Sequence, residues 1–171
     1  EGERVLAASC IREPKPGMVV HTNSARAQAA RKMVVEMLVT DQPEAAHDAS
    51  SHLADMVAAT GATANRLPKL EKSRIPLLDD SHVAMRVNLD ACISCGLCVR
   101  ACREVQVNDV IGMAGRGQDS FPVFDMADPM GASSCVACGE CVQACPTGAL
   151  MEKSLLDQQA DSRVVYADRT V

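Results

Sequence analysis

The chain has 171 residues, a formal net charge of −5 and 47% hydrophobic residues. This length suits one medium domain or two small ones, and the hydrophobic content argues against disorder. The acidic balance argues against a nucleic-acid-binding surface, which needs a basic face, and favours a low-charge or basic protein partner. No stretch approaches the roughly 20 apolar residues of a membrane span.

The nine cysteines and the first residues of the chain bear on its cellular setting. No apolar run typical of a signal peptide follows Glu1, so the cysteines are expected to serve metal in a reducing, cytoplasmic setting. The chain also lacks an initiator Met, and we expect it to be an interior segment of a longer protein. Aromatic residues make up only 2% of the chain, so an inorganic cofactor is one candidate for filling its core.

The first 40 residues predict two strands and a helix. Residues 5–8 and 18–21 are predicted to be short strands around a turn at 14–17 that contains Pro and Gly. A helix is predicted over 24–40, because apolar residues recur at helical spacing and Asn23 or Ser24 can cap it. The expected apolar face of this helix consists of Ala30, Met33, Val34, Met37 and Leu38.

A second, shorter helix is predicted over 47–60, with a cap near Ser50 or Ser51 and an end at Gly61. Residues 61–86 lack a clear period and are broken by proline, which predicts an extended connector on the surface. The histidines stand alone in sequence and are expected to be surface or capping residues. They are His21, His47, His52 and His82.

In the second half of the chain, the sequence predicts short strands around two cysteine motifs. Two of these strands enclose glycines and form a hairpin-like insertion between the motifs. The predicted strands are 87–89, 105–107, 109–113, 121–124, 149–151 and 163–166.

The spacing C-x2-C-x2-C-x3-C occurs twice in this half, which is the run that bacterial ferredoxins use to hold [4Fe–4S] clusters. The repeat extends to apolar and glycine positions, including Ile93 with Val136 and Gly96 with Gly139. Such a repeat is typical of a pseudo-two-fold ferredoxin fold. The eight cysteines are Cys92, Cys95, Cys98 and Cys102, then Cys135, Cys138, Cys141 and Cys145.

In two-cluster ferredoxins the fourth cysteine of each run ligates the other cluster, which predicts crossed ligation here. Gly96 and Gly139 permit the sharp turns that let backbone N–H groups point at sulfur. Ile93, Val99, Val136 and Val142 are expected to form a dry shell around the clusters. Cluster 1 is assigned Cys92, Cys95, Cys98 and Cys145, and cluster 2 is assigned Cys135, Cys138, Cys141 and Cys102.

One alternative to the iron–sulfur interpretation remains open. A zinc-structured interaction module also uses C-x2-C pairs, although the doubled spacing is not a zinc-ribbon pattern.

The role of the ninth cysteine is also open, because Cys10 stands outside the repeat. It is either a small buried apolar residue or the last ligand of a [2Fe–2S] cluster whose other cysteines precede Glu1.

Several stretches resemble the alpha (large) subunit of soluble NAD-dependent formate dehydrogenases that contain molybdenum or tungsten. The resemblance is strongest over residues 88–113, 128–131 and 135–150, and residues 8–40 are similar to the join after that family's [2Fe–2S] domain. The large subunit of complex I and the small diaphorase-side subunit of NAD-reducing hydrogenases share this layout, and an equivalent module of such an enzyme is the alternative.

The resemblance implies an α+β fold, with a two-[4Fe–4S] bacterial ferredoxin-like domain preceded by a helical linker and the end of a [2Fe–2S] ferredoxin-like domain. It implies that Cys10 is the fourth [2Fe–2S] ligand. Complex I relatives carry a further [4Fe–4S] site after the helix, held by one histidine and three cysteines, but residues 47–52 of this chain lack cysteine, so no cluster is expected there. The expected boundaries are 1–23 for the [2Fe–2S] remnant, 24–86 for the helix and connector, 87–157 for the two-cluster domain and 158–171 for a tail.

The resemblance also implies a role in electron transfer. This chain would relay electrons between an iron–sulfur subunit that binds FMN and NAD and a catalytic domain that oxidises formate at a molybdenum– or tungsten–pterin centre. The chain is expected to lack the residues of that catalytic domain and to act as a relay within an enzyme.

Overall fold

The computed structural model describes residues 4–43, 50–69 and 78–156, and the strands of this part form two separate antiparallel sheets. No helix among these residues is both long enough and apolar enough to cross a membrane. In chain order the elements are α1 (Ala25–Thr40), α2 (His52–Thr60), β1 (Leu78–Asp79), β2 (Met85–Asn88), α3 (Leu97–Arg100), β3 (Ile111–Ala114), β4 (Phe121–Phe124), α4 (Glu140–Gln143) and β5 (Leu150–Glu152).

The two longer helices confirm the predicted capping residues, although α2 begins at His52 and residues 50–51 of its predicted span are not helical. The Ser24 side chain accepts a hydrogen bond from the Ala27 N–H, and the Ser51 side chain accepts one from the Ala54 N–H. Gly61 ends α2 in the left-handed conformation, with its N–H bonded to the Val57 carbonyl. The predicted first residues of α2, 47–49, lie outside the described residues, as does His47.

The predicted apolar face of α1 is wrong. Val35 and Val39 are fully buried against α2, whereas Met33, Val34 and Met37 are 44%, 55% and 56% exposed. The helix carries apolar residues on both sides, so their spacing does not reveal which side α2 covers. Leu38 lies at the edge of the covered side and is half-buried.

The two predicted N-terminal strands are also wrong. Residues 5–8 and 18–21 form no strand, and a 3-10 turn occupies Ser9–Ile11. The predicted turn between them is confirmed by a hydrogen bond of 3.0 Å from the Met18 N–H to the Lys15 carbonyl. Neither segment has a partner strand within the described part of the chain, and an isolated strand is not stable in water.

The larger sheet has the strand order β1-β2-β5, and its pairs include Asp79 with Val87 and Val87 with Leu150. β2 and β5 confirm the predicted strands at 87–89 and 149–151, with bounds shifted by one or two residues. β1 was not predicted, because it lies at the end of the aperiodic connector. The strand predicted at 163–166 and the predicted tail lie outside the described residues.

The predicted hairpin is confirmed by β3 and β4, which pair from Ile111 with Phe124 to Ala114 with Phe121. The strand predicted at 105–107 is wrong. A π-helical turn runs over Ala101–Val105, and Val107 follows it with a φ of +58°. The two halves of the repeat therefore differ after their fourth cysteines, where the second half continues into β5.

Two apolar cores result from this arrangement. The smaller core joins α1 to α2 through Val35, Val39, Leu53 and Ala62, and Ile93 of the first cysteine motif packs against it. The main core lies under the larger sheet and the hairpin and includes two of the cysteines. Its buried members are Met85, Val87, Leu89, Cys102, Val110, Ile111, Phe124, Met130, Cys141 and Leu150.

The described histidines are surface or capping residues, as predicted. His21 and His52 are exposed. His82 is buried, and its Nδ1 accepts hydrogen bonds from the N–H groups of Ala84 and Met85 at 3.2 Å each. It therefore caps the turn that leads into β2.

Candidate iron–sulfur centres

Each cysteine motif begins in a loop and enters a one-turn helix at its glycine. Gly96 precedes α3 with a φ of +73°, and Gly139 precedes α4 with a φ of +81°. A Cβ at either position would meet no atom within 4 Å. Glycine is therefore required here for its left-handed backbone, which other residues rarely adopt, and not for close approach.

A second pair of positive φ angles lies inside the loops. Ser94 has a φ of +55° and Ala137 a φ of +59°, at equivalent positions of the repeat. These turns direct the Ser94 N–H to Cys92 Sγ at 3.3 Å and the Ala137 N–H to Cys135 Sγ at 3.4 Å. The predicted N–H···S contacts are therefore present. The sequence did not indicate that these two residues make them, because neither Ser nor Ala favours positive φ.

The first cavity is lined by the thiols of Cys92, Cys95 and Cys98 together with Cys145 of the other motif. The space between these protein atoms measures about 390 Å³, and part of it is open to solvent. The wall between the thiols is mostly apolar. It includes Leu89, Ile93, Met113, Pro122, Ala149 and Leu150.

The second cavity is lined by the thiols of Cys135, Cys138 and Cys141 together with Cys102 of the first motif. The space between its walls measures about 300 Å³, part of it open to solvent, and the wall is again mostly apolar. Other wall residues are Met85, Asn108, Val110, Ile111, Val136 and Gly139. Each cavity thus contains the four cysteines that were assigned to one cluster on the basis of crossed ligation.

Burial raises the pKa of one thiol in each cavity, so that both are poor acids. Burial, followed by the neighbouring thiols of Cys92 and Cys145, raises the pKa of the Cys98 thiol to about 12. Burial, followed by Cys135 and Cys138, raises the pKa of Cys141 to about 12. Thiolates gathered in so apolar a site need a positively charged group between them, and iron supplies that charge in iron–sulfur proteins.

The donor sets fit a [4Fe–4S] cluster better than a single metal ion. All nine cysteines are free thiols, so none is consumed in a disulfide. Within the described ranges, no three His, Cys, Asp or Glu side chains are arranged to hold one metal ion. A zinc ion needs four ligands at about 2.3 Å in a tetrahedron, whereas a cluster has four separate iron corners to bind.

The two motifs differ in what covers them. Ile93 is half-buried against the α1–α2 core, but its counterpart Val136 is 61% exposed. Val136 lines the second cavity but stays largely exposed to solvent, so the expectation of a dry shell is wrong for this residue. Val99 and Val142 are half-buried against the main core, as expected.

The hairpin closes one side of the first cavity. Met113 of β3 and Pro122 of β4 line that cavity, and the Ser94 hydroxyl donates to the Ser120 carbonyl at 2.6 Å. The sequence predicted the hairpin but carried no signal that it would cover the first motif. Thr147, also in this wall, was likewise not identified from the sequence.

Cys10 lies far from this arrangement in the sequence, in the 3-10 turn Ser9–Ile11, and it is exposed. The interpretation of Cys10 as a small buried apolar residue is therefore wrong. Its role as a [2Fe–2S] ligand remains a prediction.

The two-cavity region coincides with a known type of domain. Residues 83–149 match the family model of the 4Fe-4S dicluster domain. The crystal structure of an NAD+-reducing [NiFe]-hydrogenase in the H2-reduced state is similar, with a TM-score of 0.75 and 27% sequence identity. That similarity covers 86% of this chain and 64% of the hydrogenase chain.

Curated proteins named for hydrogenases, formate dehydrogenases and NADH-ubiquinone oxidoreductases are similar to this chain in sequence. The NADP-reducing hydrogenase subunit HndD of Solidesulfovibrio fructosivorans is 34% identical over 158 residues, which are 89% of this chain and 26% of that protein. The Bacillus subtilis protein named "Putative formate dehydrogenase YrhE" is 47% identical over 81 residues, 47% of this chain and 8% of that protein.

The mitochondrial NADH-ubiquinone oxidoreductase 78 kDa subunit of Candida albicans is 31% identical over 118 residues, which are 67% of this chain and 16% of that subunit. The chain thus spans about a quarter or less of the length of these three relatives. Its cysteine cavities lie inside the segment that matches the dicluster domain. The chain is therefore an iron–sulfur protein related to hydrogenase, complex I and formate dehydrogenase subunits.

Proposed function

We propose that the chain relays electrons through two [4Fe–4S] clusters, one in each cavity. The observation that carries this proposal is that four thiols, three from one motif and one from the other, line each cavity. The proposed ligands of cluster 1 are Cys92, Cys95, Cys98 and Cys145, and those of cluster 2 are Cys135, Cys138, Cys141 and Cys102.

When bound, a [4Fe–4S] cluster supplies a one-electron carrier whose potential depends on hydrogen bonds to sulfur and on solvent exposure. The protein contributes the rest. Thiolates hold the iron, the N–H groups of Ser94 and Ala137 donate to sulfur, and apolar walls exclude water. Crossed ligation also ties the two halves of the repeat together, so neither site is complete without the other motif.

Iron and sulfide quantitation on the anaerobically purified protein tests the cofactor. We expect a brown protein with about eight irons and an EPR spectrum after reduction. A colourless protein with bound zinc would instead support the zinc-structured interaction module and refute the relay.

Replacement of the crossed ligands tests the two ligand sets. We expect Cys102→Ser to remove the EPR signal of cluster 2 and Cys145→Ser to remove that of cluster 1. Cys10→Ser is the matched control and should leave both signals intact, because Cys10 is outside both cavities. Loss of the cluster 1 signal in Cys102→Ser, with cluster 2 retained, would refute crossed ligation.

We further propose that the relay serves a formate dehydrogenase in a reducing, cytoplasmic setting. Its partners would be an iron–sulfur subunit that binds FMN and NAD and a molybdenum– or tungsten–pterin domain that oxidises formate. The 47% identity to YrhE over 81 residues supports this choice. In the same enzyme, Cys10 would complete a [2Fe–2S] cluster with cysteines that precede Glu1.

An NAD-reducing hydrogenase or a complex I-like enzyme is the second candidate. It is favoured by the 158-residue similarity to a hydrogenase subunit and by the similarity to the [NiFe]-hydrogenase structure. Isolation of the native complex with a tag on this chain separates the two. Formate-dependent reduction of NAD supports the first candidate, and hydrogen-dependent or quinone-linked activity supports the second.

A further inference from the structure

Thr147 lies two residues after Cys145 and is buried in the wall of the first cavity, with 4% of its surface exposed. Its Oγ1 is 3.7 Å from Cys145 Sγ, within hydrogen-bonding distance for sulfur. The same oxygen accepts a hydrogen bond from the Ala149 N–H at 3.4 Å. The hydroxyl is therefore held between a backbone donor and a thiol.

The direction of the Thr147 contact follows from the state of the thiol. A hydroxyl has a single proton to donate. A cysteine that ligates iron is a thiolate, which has no proton and can only accept. If Cys145 holds cluster 1, the Thr147 O–H must be the donor in this contact, because the thiolate has no proton to give, and the hydroxyl oxygen can still accept from Ala149.

The other half of the repeat has no counterpart to this hydroxyl. Cys102 is the equivalent of Cys145, and the residue two positions after it is Glu104. Glu104 is exposed, and its carboxylate pairs with Arg100 at 3.0 Å. The N–H···S contacts of Ser94 and Ala137, by contrast, are shared by both halves. Thr147 thus gives cluster 1 a hydroxyl beside one ligand, whereas Glu104 takes its place in the second site.

We propose that Thr147 raises the reduction potential of cluster 1 alone, as a positioning residue that acts through Cys145. This inference rests on the proposed function and extends it. One-electron reduction adds negative charge to the iron–sulfur core and its thiolates. A hydrogen bond to a thiolate stabilises that charge, so it favours the reduced state. No bond breaks in this step, and the proton remains on the Thr147 oxygen.

An EPR-monitored redox titration of the two-cluster protein, with dithionite as electron donor, tests the proposal. Thr147→Val keeps the shape and removes the hydroxyl. We expect about a tenfold smaller reduction equilibrium constant for cluster 1, which is about 59 mV for a one-electron couple, and no change for cluster 2. Thr147→Ser should restore the wild-type value. Cys95→Ser and Cys138→Ser assign the two EPR signals.

Thr60→Val is the matched control. The Thr60 hydroxyl bonds the Met56 carbonyl on the exposed side of α2, so its loss should move neither potential. If Thr147 only supports the turn through Ala149, Thr147→Val would lower stability and leave both potentials unchanged. That result, or an equal shift of both clusters, overturns the proposal.

A measurement on the wild-type protein tests the proposal even if the Thr147→Val variant does not assemble its clusters. Proton ENDOR in H2O and D2O should show at cluster 1 an exchangeable proton beyond those of the backbone N–H donors, and no such proton at cluster 2, because Glu104 takes the place of Thr147 in the second site. The absence of this difference overturns the role of Thr147. A protein that holds no iron would instead overturn the proposed function itself, so the two failures are distinguishable.

Discussion

Replacing Asp79 with Asn should destabilise the protein strongly. Asp79 is a buried residue of β1, and its carboxylate joins that strand to the loop before the second cysteine motif. One oxygen accepts from the Met130 N–H at 2.6 Å and the other from the Ser81 N–H at 2.9 Å. Burial raises the pKa of Asp79, but hydrogen bonds from Ser81 and Met130 outweigh it and leave the pKa lowered. The carboxylate is therefore charged at neutral pH.

The expected magnitude follows from these two bonds. A hydrogen bond to a charged group contributes about 1.5–3 kcal/mol, and a neutral one about 1 kcal/mol. Asn offers one neutral acceptor, and its NH2 group would face the second N–H donor. We therefore expect Asp79→Asn to lose about 2–5 kcal/mol of unfolding free energy. With a urea m-value of about 2 kcal/mol/M, this moves the unfolding midpoint by roughly 1–2.5 M.

Anaerobic urea titration followed by far-UV circular dichroism measures that midpoint. The matched control is Asp80→Asn, at the next position. Asp80 is exposed on the surface, and side-chain hydrogen bonds from Arg86 and Lys153 lower its pKa to about 2. Exposed ion pairs contribute little to stability, so this change should have a small effect. If Asp79→Asn moves the midpoint no further than Asp80→Asn does, the proposed importance of the buried carboxylate is refuted.

Two other changes probe the covering of the two motifs. Ser94→Ala removes the hydroxyl bonded to Ser120, and it should cost about 1 kcal/mol and speed the loss of cluster 1 to an iron chelator. Ala137 at the equivalent position shows that Ala is compatible with this loop, so equal decay of both EPR signals would contradict the role of the hydroxyl. Ile93→Asp should cost about 1–3 kcal/mol of unfolding free energy, whereas Val136→Asp, at the equivalent but largely exposed position in the wall of the second cavity, should cost less. Similar losses for both variants would show that the α1–α2 core does not protect the first motif.

Capping residues and turn residues in the sequence predicted those helices and turns that form through contacts between residues close together in the chain. Ser24 and Ser51 predicted the starts of α1 and α2, because a capping side chain bonds an N–H three residues away. The glycines between β3 and β4 indicated the hairpin, because a tight turn between two strands also depends on a few consecutive residues. The N-terminal strands were wrong, because strand-like residues still need a partner strand.

The sequence by itself determined the repeated cysteine spacing and the left-handed turns at Gly96 and Gly139, because these depend on a few consecutive residues. Only the tertiary structure decided which surfaces are covered. Val35 of α1 is buried while Met33 is exposed, and Ile93 is protected while Val136 is not. It also decided that Thr147 lies against the Cys145 sulfur and that Asp79 reaches Met130. These outcomes depend on how the elements pack together, which the spacing of residues along the chain does not specify.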